Sequence, residues 1–169
     1  CIVGIGSIGQ AIRKRLEPFN VNFIGVNTKG TPTDGFKSVY PVKDLETAVM
    51  MSDVVVITLP LNDDTHNLFN RELLFKMKKG SILLNVGRGR IIDEDALVDA
   101  LESEHLGFCA LDVMAKEPVD KDSKLWDCKN LLLTPHVSGT GDYTKERLWE
   151  VFEYNCHQFS LGKELKNIV

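Results

Sequence analysis

The stretch Cys1-Ile2-Val3-Gly4-Ile5-Gly6-Ser7-Ile8-Gly9, followed by Gln10 to Glu17, decides how the rest of the chain is read. It divides into an apolar run, a glycine turn and a segment with helical spacing, which together predict strand, turn and helix. Gly4 permits the sharp turn, Gly6 lets backbone approach a pyrophosphate, and Gly9 lets the helix sit close to the strand. Ile8, Ala11, Ile12 and Leu16 form an i, i+3, i+4, i+8 stripe expected to face inward, and Pro18 marks the end. The free N–H groups and positive dipole of such a helix start favour an anion. Three glycines in six residues also occur in ordinary turns, so the pattern gains meaning only from its context. That context is a strand before, a helix after, and a second strand ending near a ribose-binding position, here Asn27.

With 169 residues and 43% hydrophobic content the chain is long enough to bury a core. Its formal charge of −4 comes from interleaved acids and bases, so no basic stripe points to nucleic acid. Cys1, Cys109, Cys128 and Cys156 are scattered, with neither zinc spacing nor a disulfide framework, and no metal site is expected. Cys109 lies in an apolar run and reads as a small core residue. No signal peptide and no long apolar span are found, so a cytoplasmic protein with no membrane partner is expected.

Further along, Val21 to Val26 predicts a second strand and Asn27 to Gly35 a loop. A helix is expected from about Val42 to Met51, with Leu45, Ala48 and Val49 inward. Asp53 to Pro60, rich in β-branched residues, reads as a strand buried on both faces. Asn70 caps a short helix bearing Leu73, Leu74 and Met77, closed by Lys79-Gly80. Ile82 to Asn85 is a fourth strand. Asp93 caps a helix through Ser103 with Ala96, Leu97, Ala100 and Leu101 inside. Gly107 to Leu111 and Leu131 to Thr134 are the fifth and sixth strands. A long helix follows from about Gly141 to Leu161, with Leu148, Val151, Phe152, Asn155 and Phe159 along one side. The tail 162–169 carries no clear element. Strands alternating with helices imply an α/β doubly wound parallel sheet of the Rossmann type, a single dinucleotide-binding domain over 1–169.

Ligands of such a sheet lie beyond the carboxyl ends of its strands. Arg88, Glu117 and His136 each follow a different strand at that end, on the edge that carries the glycine turn. Alone, each reads as an ordinary loop residue; together they are chemically complementary. A guanidinium holds a substrate carboxylate in two parallel bonds, and an imidazolium supplies the proton that a carbonyl oxygen needs as hydride arrives. A carboxylate beside the imidazole favours its charged form. At the cofactor, Asn27 keeps a hydrogen-bonding group but lacks the charge with which an aspartate repels a 2′-phosphate, and Thr28 and Lys29 follow it. NADPH use at least comparable to NADH use is expected.

Nearly the whole chain resembles the D-isomer-specific 2-hydroxyacid dehydrogenases. The resemblance is carried by Asn85-Val86-Gly87-Arg88-Gly89-Arg90-Ile91-Ile92-Asp93 with Ala96-Leu97, by Leu111-Asp112-Val113 with Glu117-Pro118, and by Thr134-Pro135-His136-Val137-Ser138-Gly139. It implies Arg88 as the substrate-binding arginine, His136 as the acid/base and Glu117 as its partner. It implies NAD or NADP as cofactor, with contacts from Ser7, Ile8, Leu59, Pro60, Thr65, Val86, Gly87, Asp112 and Ser138 beside the glycines. Asp112 falls near the nicotinamide amide, or is simply a strand-end cap. Glu117 counts against the related formate dehydrogenases, which pair the histidine with glutamine. His66, His105 and His157 match no catalytic motif, and the latter two read as surface residues.

The resemblance also implies a homodimer, and a substrate domain formed mostly by a segment preceding the first strand, which is absent from this chain. The chain is accordingly expected to be a fragment of the enzyme. A second reading from the same fold family stays open: a regulatory module that senses the dinucleotide and binds protein partners. Turnover of a 2-keto acid separates the two.

Overall fold

The computed structural model describes residues 1–168. Its strands are β1 (Ile2–Val3), β2 (Ile24–Asn27), β3 (Ser38–Pro41), β4 (Val54–Ile57), β5 (Ser81–Asn85), β6 (Leu106–Leu111) and β7 (Leu131–Leu133). They form one parallel sheet in the order β3-β2-β1-β4-β5-β6-β7. The chain runs outward from β1 to β3, then returns to β1's other side to place β4. The order therefore reverses between β1 and β4, which is the switch point of a doubly wound sheet. The helices are α1 (Ser7–Leu16), α2 (Leu45–Met50), α3 (Arg71–Lys76), α4 (Glu94–Glu102) and α5 (Thr144–Ser160). Two compact units result, one from Cys1 to Pro135 and one from His136 onward.

In the first unit the strands supply Val3, Val26, Val55, Ile57, Leu83, Cys109 and Leu111 to a core completed by helical residues such as Leu45, Val49, Leu74 and Leu97. Fully burying a side chain of this kind contributes about 1.5–3 kcal/mol. In β4, Val55 and Ile57 are fully buried and Val56 nearly so, as a strand covered on both faces requires. Burial also pushes the Cys109 thiol's pKa far up, which leaves it an unreactive core residue. Asn70 and Asp93 cap α3 and α4 through the Leu73 and Ala96 N–H groups, at 3.0 and 3.1 Å; such a cap contributes about 1 kcal/mol.

Several expectations are corrected. The sheet has a seventh strand, β3, at its edge, where Pro41 costs no ladder bond. The second strand starts at Ile24, with Val21 and Asn22 exposed. In α1 the only buried residue is Gly9, while Ile8 and Leu16 are 56% and 38% exposed. The helix lies so close to β1 that its contact is made by the residue without a side chain. Met77 caps the end of α3, and Gly80, at φ 78°, turns the chain into β5. His105 is half-buried: its Nε2 lies 3.0 Å from the Met77 carbonyl oxygen and its ring stacks on Phe75.

In the second unit α5 buries none of its residues, and Leu148, Trp149, Phe152 and Phe159 are exposed. The chain beyond the helix folds back on it. The Asn155 amide donates to the Lys166 carbonyl and accepts the Lys166 N–H, both at 2.9 Å, and the Lys166 ammonium sits 3.8 Å above the Tyr154 ring.

Candidate active site

Register sets the site. Val26, Val3, Ile57, Asn85, Leu111 and Leu133 stand side by side across six strands. The ladder extends one residue further: Gly4, Thr58, Val86, Asp112 and Thr134 each donate an N–H to the neighbouring strand, at 2.9 to 3.1 Å. Every loop with a proposed function leaves the sheet at or just beyond this row.

Gly4, at φ 95°, makes the turn after β1, in the left-handed region that favours glycine. Thr58 holds it from β4, its hydroxyl donating to the Gly4 carbonyl and, at 3.3 Å, to that of Val3. A Cβ on Gly9 would strike the Gly4 carbonyl oxygen, so this glycine sets how closely α1 approaches the turn. No side chain caps α1, whose first bond runs from the Gln10 N–H to the Gly6 carbonyl, and a Cβ on Gly6 would point into open space. Uncapped N–H groups facing an open cradle are what a pyrophosphate requires, so the residues present fit a dinucleotide.

Asn27 ends β2 and spends its amide on the following loop. Its Oδ1 accepts the N–H groups of Lys29 and Thr31, at 3.2 and 3.0 Å, and its Nδ2 donates to the Thr31 carbonyl at 2.9 Å. Thr28 and Lys29 are left exposed on that loop. After β4 come Leu59, half-buried, and Pro60, exposed. Thr65 braces the segment: its hydroxyl donates to the Pro60 carbonyl at 2.7 Å and accepts the Asn62 N–H at 2.8 Å.

Arg88 follows β5 on a turn built by buried Asn85. The Asn85 Oδ1 accepts the Gly87 N–H at 3.0 Å, and its Nδ2 donates to the Arg88 carbonyl at 2.9 Å. Half-buried Val86 and buried Gly87 lie between them, and the Arg88 side chain is exposed. Asp112, just beyond β6, is buried and accepts the Thr134 hydroxyl at 2.5 Å. Glu117 is exposed at the end of the next turn, where its Oε1 accepts the Met114 N–H at 2.9 Å.

Two of the expected site residues, His136 and Ser138, belong to the second unit. Both are exposed, and His136 holds a left-handed backbone with φ 54°. A non-glycine residue in that region is uncommon, and such outliers concentrate at functional sites. His66 and His157 are exposed.

Thr58 and Asn85 brace the turns after β1 and β5, and the motif reading did not single out either for that part. Each is a polar residue closing an apolar strand run before a turn, a signal present in the sequence. Among the described residues no group of three or more His, Cys, Asp or Glu side chains is placed to hold a metal ion, and no helix is long and apolar enough to cross a membrane.

Residues 1–138 match the model of the D-isomer specific 2-hydroxyacid dehydrogenase NAD binding domain. A glycerate dehydrogenase of Methylorubrum extorquens is 36% identical over 171 residues, covering 99% of this chain and 51% of the relative. A glyoxylate reductase of Pyrococcus horikoshii is 35% identical over 162 residues, covering 96% and 48%. The crystal structure of a D-isomer specific 2-hydroxyacid dehydrogenase from Xanthobacter autotrophicus Py2, in complex with NADPH and MES, superposes with a TM-score of 0.92 at 30% identity, covering 99% of this chain and 69% of that one. The chain thus spans about half the length of these curated relatives. With the family model matched from β1 to just past β7, and relatives aligned over almost every residue, the chain belongs to the D-isomer specific 2-hydroxyacid dehydrogenases and carries their NAD binding domain.

Proposed function

We propose that the protein containing this chain transfers a hydride between NAD(P)H and a small 2-keto acid, giving the D-2-hydroxy acid, or runs the reverse. The observation that carries the reading is the sheet edge. The glycine turn, the Arg88 turn and the Glu117 turn leave from one row of paired strand ends, and the chain beyond the last strand of that row leads to His136. The relatives named for glycerate and glyoxylate point to hydroxypyruvate and glyoxylate as the first acids to test.

When bound, the nicotinamide supplies or takes up the hydride. The uncapped start of α1 holds the pyrophosphate, and the loop after β2, with Asn27, Thr28 and Lys29, receives the adenosine ribose. Arg88 binds the substrate carboxylate in a bidentate, charge-assisted pair, which fixes the carbonyl carbon for attack. His136, as imidazolium, gives its proton to the carbonyl oxygen, so that the 2-keto acid, hydride and proton together make the hydroxy acid. Glu117 stabilises the charged ring and orients it. Asp112 holds the nicotinamide amide. Free thiols at all four cysteines accord with a reducing cytoplasm, and the family resemblance favours a homodimer.

The test is the complete gene product assayed with NADH and NADPH against a panel of 2-keto acids, following loss of reduced-nicotinamide absorbance. Turnover of at least one acid is expected. Dinucleotide binding with no turnover of any acid would overturn the reading in favour of a regulatory module.

A further inference from the structure

Glu94 is the first residue of α4, yet its carboxylate does not serve its own helix. Its Oε1 accepts the Ala115 N–H at 2.6 Å, on the turn that leads from β6 to Glu117. The same short piece of backbone is held from two further sides. Arg90 Nε donates to the Ala115 carbonyl at 3.3 Å, and Glu117 itself accepts the neighbouring Met114 N–H at 2.9 Å. Gly89 presses directly on this peptide, and a Cβ there would collide with Met114 and Ala115. The segment following Arg88 therefore grips the turn that presents Glu117.

We propose that Glu94 is a positioning residue: by holding the Ala115 N–H it fixes the 114–117 turn and so sets the orientation of the Glu117 carboxylate. The proposal rests on the reading of Glu117 as the partner of His136.

The choice of residue supports a role beyond stability. Burial pushes the Glu94 pKa above its ordinary value, a cost that the Ala115 N–H only partly offsets and that the neighbouring Asp95 charge increases. No cation relieves it: among the described residues Glu94 has no ion pair. Of the three lysines that line its surface cleft, Lys116 and Lys124 pair instead with Asp120 and Asp95, at 2.7 and 3.3 Å. A partly desolvated carboxylate is an expensive way to satisfy one N–H, but a charged acceptor holds it about twice as strongly as a neutral one.

The experiment compares Glu94→Ala, Glu94→Asp, Glu94→Gln, Glu117→Gln and the double variant Glu94→Ala/Glu117→Gln in the complete gene product, using the 2-keto acid it reduces fastest. Reduction takes a proton from His136, so kcat falls as pH rises, and a weakened anionic partner moves that limb to lower pH. Glu117→Gln should move it down by about one pH unit. Glu94→Ala and the shorter Glu94→Asp should move it the same way by less, with dinucleotide Kd within about twofold of wild type. Glu94→Gln keeps the reach but offers a neutral acceptor that holds the N–H less strongly, and should move the limb in the same direction by less than Glu94→Ala. The double variant should go no further than Glu117→Gln, since both act on one carboxylate.

A limb that moves in Glu117→Gln but stays put in both Glu94→Ala and Glu94→Asp overturns the inference, as does an additive double variant. An unmoved limb in Glu117→Gln overturns the pairing with His136 instead. Amide hydrogen exchange over residues 113–117 then decides for Glu94: faster exchange in Glu94→Asp with an unchanged Tm supports the clamp, and unchanged exchange refutes it.

Discussion

His136→Ala is the first test at the level of single residues. Removing the proton donor should lower turnover by about 10²–10⁴-fold while dinucleotide affinity, measured by fluorescence titration, stays near wild type; a variant that keeps normal turnover would exclude the assignment. Asn27 is less simple than its place at the end of β2 implied. Its amide is already committed to three loop bonds, so Asn27→Asp keeps two acceptor contacts but sets a carboxylate oxygen against the Thr31 carbonyl. The variant should lose about 1 kcal/mol of stability and, because the new charge opposes a 2′-phosphate, should reduce kcat/KM for NADPH more than for NADH. An unchanged ratio of the two would show that this loop does not select the cofactor. The places of Arg88, Glu117 and His136 after strand ends were legible because each follows an apolar run and a turn within one motif. The loop-building role of Asn27 was not, since three local bonds to a backbone leave no trace in residue type.

The elements were read best where apolar spacing and a cap agree, as in α4 with Asp93, and worst where the packing surface is not apolar at all. In α1 the two ends of the visible stripe, Ile8 and Leu16, are exposed while Ala11 and Ile12 are half-buried, because the close contact is made by Gly9. Gly9→Ala should therefore push α1 off the glycine turn. The expected cost is about 1–3 kcal/mol, read as a lower Tm, together with weaker dinucleotide binding; a variant with wild-type Tm and affinity would show that the helix has room to spare. The strand β3 escaped notice for a related reason. Its half-buried residues Ser38, Val39, Tyr40 and Pro41 lie at the sheet edge, where the pattern of a covered strand is not required.

For the molecule as a whole, the chain spans about half the length of its curated relatives, and its seven strands form one parallel sheet. Residues 1–169 expressed alone should fold and bind NAD(P)H but should not turn over 2-keto acids, since a site open to water neither positions the substrate nor excludes solvent. Exposed Leu148, Trp149, Phe152 and Phe159 on α5 should make the isolated chain associate, measurable by light scattering against concentration. Turnover on the order of 1–10³ per second by the isolated chain would contradict this. Because the loops leave from one row of paired strand ends, lengthening a loop moves its own functional group and leaves the row in place, while the Arg88 and Glu117 loops, tied together through Gly89, Arg90 and Glu94, shift as a pair. Inserting one residue within a strand instead reverses which side chains face up or down along it and shifts its exit from the row. Diversification of substrate choice should therefore be found as changes in loop length and composition, with strand lengths in this sheet held nearly constant.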